Sequence, residues 1–190
     1  MTLRAGSIAL MMMFAVACTK PASTTQNPPT IETPQATTAA LKLTSFAFAE
    51  NQPIPPQYTC SGINISPPLE WMGIPKSSKT LAIIAEDTDA PGGTWAHWVV
   101  YNLPADTIGM VENLPSTEDL KGGGFQGKND FEKIGYGGPC PPSGTHRYYF
   151  KIYALDNELP LKAGATKADV EKAMSGHILA QAQLMGTYRK

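Results

Sequence analysis

Thr80 to Ala85 (TLAIIA) is an unbroken apolar run, too short for an ordinary helix and rich in residues that suit a pleated surface. It reads as a buried strand. Trp98 to Leu103 (WVVYNL) is a second such run. Leu41 to Phe48 alternates apolar with polar or small residues, the pattern of a half-buried strand. Arg147 to Leu155 sets Tyr148, Phe150, Ile152 and Ala154 against Tyr149, Lys151 and Tyr153. The stretches between these runs are dense in turn formers, and the chain of 190 residues holds 17 Gly and 17 Pro. That content suits a loop-rich β domain rather than a helix bundle. Only Thr166 to Tyr188 has helical character. Thr166 with Asp169 three residues on forms an N-terminal capping pair. Val170, Met174, Ile178 and Ala182 then repeat every four residues, and Gly176 divides the stretch into two expected helices. His177 falls on this segment and is assigned a structural role.

The N-terminus carries a different signal. Arg4 precedes Ile8 to Val16 (IALMMMFAV), an apolar run far shorter than the roughly 20 residues of a membrane-spanning helix. Residues 1–17 therefore read as a signal peptide. Phe14-Ala15-Val16-Ala17-Cys18 resembles a lipobox, which makes Cys18 the expected site of lipidation. No Asp follows Cys18, so the expected location is the outer membrane, facing the periplasm. Residues 18–40, rich in Thr, Pro, Ala and Gln, cannot bury enough apolar surface to offset their ordering entropy and read as a disordered tether. Residues 41–190 are left as the folded domain. Two cysteines remain there, Cys60 and Cys140; an oxidising compartment allows one disulfide, and two buried thiols are the alternative.

Charge excludes one class of partner. With 15 basic and 16 acidic side chains, the net charge is −1 and no nucleic-acid partner is expected. Gly122 to Lys128 has the G-x-x-x-x-G-K spacing of a phosphate-binding loop, but Asn129 follows where Ser or Thr would ligate magnesium. No apolar strand precedes it and no helix opens after it, so it reads as a glycine-rich surface loop.

Polar chemistry gathers in two segments. Asp87-Thr88-Asp89-Ala90-Pro91 directly follows the first buried run, and His97, flanked by Trp95 and Trp98, opens the next. Gly135 to Tyr148 (GYGGPCPPSGTHRY) leads into the last alternating run. Two carboxylates, two imidazoles, a phenol and several prolines at strand ends could converge on a phosphate or a zwitterionic phosphoester headgroup. A structural Asp–His pair that merely fixes the loops would use the same residues. The spacing of His97, His146, Asp87 and Asp89 matches no short metal motif, so neither metal nor cofactor is expected. A hydrolase would need a nucleophile, and Ser143 lies in a Pro-Pro-Ser-Gly turn rather than a G-x-S-x-G elbow.

These residues resemble the phosphatidylethanolamine-binding protein family, in its bacterial Raf-kinase-inhibitor-like branch. The family's D-P-D-x-P motif is matched by Asp87-Thr88-Asp89-Ala90-Pro91, with Thr88 in place of the usual Pro. Its W-x-H strand start is matched by Trp95-Ala96-His97. Its G-x-P-P-x-G…H-R-Y motif is matched by Gly138 to Tyr148. Tyr58-Thr59-Cys60, Ser66 to Trp71 and the ending Leu184 to Tyr188 are also similar to that branch. The resemblance implies an antiparallel β-sandwich with short C-terminal helices and a small anion pocket at one end. It places Asp87, Asp89, Pro91, Trp95, His97, Pro141, Pro142, His146 and Tyr148 at the ligand site, with Pro91 a candidate cis-proline. The expected function is non-enzymatic binding of a phosphate-bearing small molecule or phospholipid headgroup by a membrane-anchored lipoprotein. The alternative is an inhibitor acting on a periplasmic protease or other protein partner. The resemblance also leaves a homodimer open.

Overall fold

The computed structural model describes residue 2 and residues 40–190. The signal peptide, Cys18 and nearly all of the tether lie outside the described residues.

The described chain runs through β1 (Lys42–Thr44), β2 (Gln52–Pro53), β3 (Leu69–Met72), β4 (Thr80–Asp87), β5 (Trp95–Pro104), β6 (Gly109–Met110), β7 (Phe125–Gln126), β8 (Thr145–Leu155), α1 (Lys167–Met174) and β9 (Ile178–Arg189). One sheet has the order β2-β9-β8-β4-β5-β7, the other β1-β3-β6. Neighbours are antiparallel except β2 and β9. The fold is mainly β, as expected.

Strand β4 shows why its sequence is a run rather than an alternation. Leu81, Ile83 and Ala85 face the core between the sheets, with Leu43, Leu69, Trp71, Trp98, Val100, Phe150 and Ile152. Ala82 and Ile84 face a second core on the other side, closed by Val170 and Met174 of α1 and by Leu159. A central strand covered on both faces leaves Leu81 to Ala85 no place for a polar side chain, and the polar residues of β4 stand at its two ends.

Three expectations are corrected. The first strand is shorter than Leu41 to Phe48. It stops at Thr44, and the Ser45 hydroxyl accepts from the Ala47 amide (3.0 Å) while donating to the Pro68 carbonyl (2.6 Å). That local turn competes successfully with the ladder. The second of the two expected helices is strand β9. Helix α1 has the expected capping box of Thr166 and Asp169, but at Gly176 the chain turns at φ +82° into β9. Strand β9 pairs with β8 from Ile178↔Leu155 to Thr145↔Arg189. Positions four apart are also two strand periods apart, so Ile178 and Ala182 satisfy either reading; the open edge of β8 decides for the strand. His177 thus lies in the turn between α1 and β9, its Nδ1 2.8 Å from Asp156 Oδ1. Finally, no peptide bond among the described residues is cis, so Pro91 is trans.

Candidate functional site

Antiparallel pairing brings the two polar segments to one end of the large sheet. Asp87, the last residue of β4, stands opposite Trp95 on β5 and opposite Tyr148 on β8. Strand alternation then sorts adjacent carboxylates to opposite faces. Glu86 turns away from the inter-sheet core and pairs with Lys151 and Lys167. Burial raises the Glu86 pKa, but the two ammonium groups outweigh it and leave it below its ordinary value. Asp87 takes the face of Ala85 and Ile83, at the end of the inter-sheet core.

His97 is aimed by a bulge. The β4–β5 register passes from Ala85↔Trp98 to Glu86↔Ala96 and leaves His97 without a partner on β4. Its backbone carbonyl accepts from the Gly137 amide at 2.8 Å. Its ring Nδ1 lies 2.6 Å from the Gly137 carbonyl, which can only accept. Nδ1 therefore carries the proton and Nε2 is the free ring nitrogen. Burial holds the His97 pKa below its ordinary value, against the opposing pull of the Gly137 carbonyl and the Asp87 charge.

His146 is held differently. Its Nδ1 lies 2.7 Å from Asp87 Oδ2, and Asp87 Oδ1 accepts from the Asp89 amide at 2.8 Å. Again Nδ1 donates and Nε2 is left free. The two imidazoles differ in what holds them: a neutral carbonyl for His97, a carboxylate for His146.

Asp87, Pro91, Trp95, His97, Pro141, Pro142 and His146 line one cavity of about 260 Å³. Two expected residues do not. Tyr148 sits behind the site, its ring edge-on to His97 with centroids 5.2 Å apart. Its hydroxyl is buried without a hydrogen-bond partner among the described residues, and burial followed by the Asp87 charge raises its pKa far above the usual phenol value. Asp89 faces Arg147, which donates from its amide and Nε (both 2.9 Å) and from Nη2 (2.6 Å). That clamp lowers the Asp89 pKa to about 2 and ties the loop after β4 to β8.

Ala90, Phe131 and Cys140 also line the cavity and were not expected there. Ala90 lay inside the quoted motif. Cys140 is bridged to Cys60, their Cα atoms 5.4 Å apart, so the disulfide forms part of the wall. Phe131 meets Trp95 and His97 edge-on, with centroids 5.6 and 5.2 Å apart. No motif marked Phe131; it is brought in by Asp130, whose carboxylate accepts from the Ala96 amide at 2.6 Å.

Comparison with known proteins assigns the chain. The model of the family described as phosphatidylethanolamine-binding protein matches residues 44–189. The chain belongs to the phosphatidylethanolamine-binding protein family. A UPF0098 protein of Methanothermobacter thermautotrophicus is 51% identical over 150 residues, 79% of this chain and 99% of that protein. The crystal structure of a putative phosphatidylethanolamine-binding protein homologue from Chlamydia trachomatis matches with TM-score 0.73 and 45% identity, over 80% of this chain and 98% of the other. That of E. coli YbcL, described as a member of the mammalian family, matches with TM-score 0.74 and 32% identity, over 80% and 99%.

In this family member the His97 environment has a consequence for stability. The folded pKa lies below the roughly 6.5 of a free imidazole, so between the two values the unfolded chain binds more protons. Stability contributed by His97 is complete above about pH 6.5 and is lost as pH falls from there through the folded value. Urea midpoints measured from pH 8 to pH 5 should decline through this window, at no more than about 1.4 kcal/mol per pH unit. The His97→Gln variant should show a flatter profile, and an unchanged slope would disprove the assignment. Depressed carboxylates such as Asp89 and Glu86 act in the same direction but at lower pH.

Proposed function

We propose that the chain is a non-enzymatic binding protein whose end cavity takes a phosphate-bearing small molecule or phospholipid headgroup. The observation that carries this reading is the complementary pair of imidazoles. Neutral His97 offers an Nε2 lone pair, which accepts from a protonated phosphate oxygen or an ammonium group. His146, when protonated beside the Asp87 carboxylate, offers an Nε2–H donor to a phosphate oxygen. A half-protonated phosphomonoester, with one P–OH and further P–O⁻ groups, meets both at once. The cavity walls of Pro91, Pro141, Pro142 and Trp95 supply shape rather than competing donors. Among the described residues no hydroxyl or free thiol lines the cavity, and Cys140 is held in its disulfide. The signal-peptide and lipobox features support export and a lipid tether at the outer membrane, which would hold this cavity near lipid headgroups.

Phosphoethanolamine titration by calorimetry tests the reading on the full-length chain. Wild type should bind and the His97→Ala, His146→Ala double variant should lose binding by at least about tenfold, each charge-assisted bond being worth about 1.5–3 kcal/mol. Equal affinities, or no binding to either, would refute it. Release of phosphate that depended on His97 would instead make the chain an enzyme.

One observation favours the second reading, an inhibitor of a protein partner. Exposed Phe46, Ile108 and Val111 border an apolar groove of about 580 Å³ beside the small sheet, away from the imidazoles. Protease inhibition that survived the double-histidine variant and vanished in Phe46→Ser, Ile108→Ser would establish it.

A further inference from the structure

The cavity of the two imidazoles has a neighbour. A second cavity of about 200 Å³ is lined by Asn64, Lys133, Gly137 and Gly138, and shares Phe131 and Cys140 with the first. Gly137 joins them chemically, because the carbonyl that fixes His97 belongs to a residue lining the second cavity. Glycine is required there, since a Cβ at 137 would come within 2.7 Å of the Phe131 ring. The partition is therefore a single aromatic ring lying on bare backbone, flanked by the disulfide.

The Tyr136 hydroxyl and the Gly137 and Gly138 amides of the second cavity are committed to protein acceptors, which leaves two side-chain donors, on Asn64 and Lys133. Asn64 Oδ1 accepts from the Gly138 amide at 2.7 Å, which turns the amide so that Nδ2 is its remaining group. Nδ2 has no partner among the described residues. Lys133 makes no ion pair among the described residues, and its acidic neighbour Glu132 is engaged with Lys128 at 3.1 Å. Among the described residues no carboxylate lines this second cavity, whereas Asp87 lines the first. The geometry points to a subsite for a second anionic group: we propose that Asn64 and Lys133 select phosphomonoesters that also carry a carboxylate over those that carry only an ammonium.

This selection rests on the phosphate reading of the first cavity. Phosphate beside His97 and His146 leaves the ester substituent to cross Phe131, where a carboxylate meets Lys133 Nζ and Asn64 Nδ2. An ammonium gains nothing from Lys133 and turns away from it into solvent. Lys133 is exposed, so the effect is that of a screened pair rather than a buried one.

O-phosphoserine and phosphoethanolamine differ by one carboxylate and form the test. The full-length chain should bind O-phosphoserine about fivefold more tightly, the upper range for a partly exposed ion pair. Lys133→Met should erase that preference while changing phosphoethanolamine affinity by less than about twofold, and raising the salt concentration should weaken the wild-type preference. Phosphoethanolamine binding without a preference, or a preference that survives Lys133→Met, overturns the subsite and leaves the first cavity's reading intact. Absence of binding to both phosphoesters and to inorganic phosphate overturns both.

Discussion

Replacing Cys60 and Cys140 together by Ser should lower stability by about 4 kcal/mol. The bridge closes a loop of 80 residues, and loop-closure entropy alone sets that scale at room temperature. For a folded unit of this size, about 4 kcal/mol corresponds to a fall of roughly 8–16 °C in Tm. The local backbone contact beside the bridge, Cys60 amide to Pro139 carbonyl at 3.1 Å, survives the substitution but is worth only about 1 kcal/mol net. With the Tyr136 hydroxyl donating to the Tyr58 carbonyl and the Gly138 amide donating to Asn64 Oδ1 (both 2.7 Å), it still ties residues 56 to 64 to the cavity wall, but more loosely than the covalent bridge. Because Cys140 lines both cavities, phosphoethanolamine affinity should fall in the same variant even where it remains folded. Thermal melts and titrations of the serine pair check both halves. A Tm within 2–3 °C of wild type, a span worth only about 1 kcal/mol, would show that the bridge contributes little.

The strand readings drawn from residues 80–85, 98–103 and 147–155 held because burial leaves a direct mark on side-chain pattern. Strands β4 and β5 are enclosed between two cores and are buried at nearly every position, while β8 beside them is buried at alternate positions over most of its length. Residues 178–189 are not legible as a strand because their pattern is degenerate. Ala180, Ala182, Leu184 and Tyr188 face the inter-sheet core at period two, yet a subset of the same face also repeats every four residues. Gln181 and Gln183 are good helix formers, and only the ladder with β8 overrides that preference. The pairing partner lies more than twenty residues away and leaves no trace in the local sequence.

The site divides along the same line. Asp87, His97 and His146 stood out as titratable groups at strand ends, and seven expected residues do line one cavity. What sequence could not supply is direction. The bulge that frees His97 from β4 is a register effect between two strands. Asp89, two residues beyond Asp87, points to Arg147, while Asp87 holds the adjacent His146 of the same strand β8; nothing in the local sequence tells which carboxylate takes which partner. Phe131 and Lys133 lie in a segment without motif or periodicity, and only the packing of that loop against Trp95 and His97 brings them to the site.

Asp87→Ala should be the most damaging change among the polar residues of the cavity. The Asp87 carboxylate accepts from His146 Nδ1 and from the Asp89 amide, and its charge lies close to the buried Tyr148 hydroxyl. Removing it strands the His146 donor in a buried place, at about 1–3 kcal/mol, and releases the loop that carries Pro91. The summed loss should be about 3 kcal/mol, or roughly 6–12 °C in Tm. Phosphoethanolamine binding should disappear as well, since His146 loses the group that orients it. Asp87→Asn separates the two effects. The amide fits the same space and keeps one acceptor for the Asp89 amide, so most of the stability returns. Its NH2 group facing His146 Nδ1 must donate, which moves the imidazole proton to Nε2. His146 then presents a donor to the cavity even when neutral. Asp87→Asn should therefore keep measurable phosphoethanolamine binding where Asp87→Ala has none. Loss of binding in Asp87→Asn as complete as in Asp87→Ala, with stability restored, would show that an oriented His146 Nε2–H is not what the ligand needs.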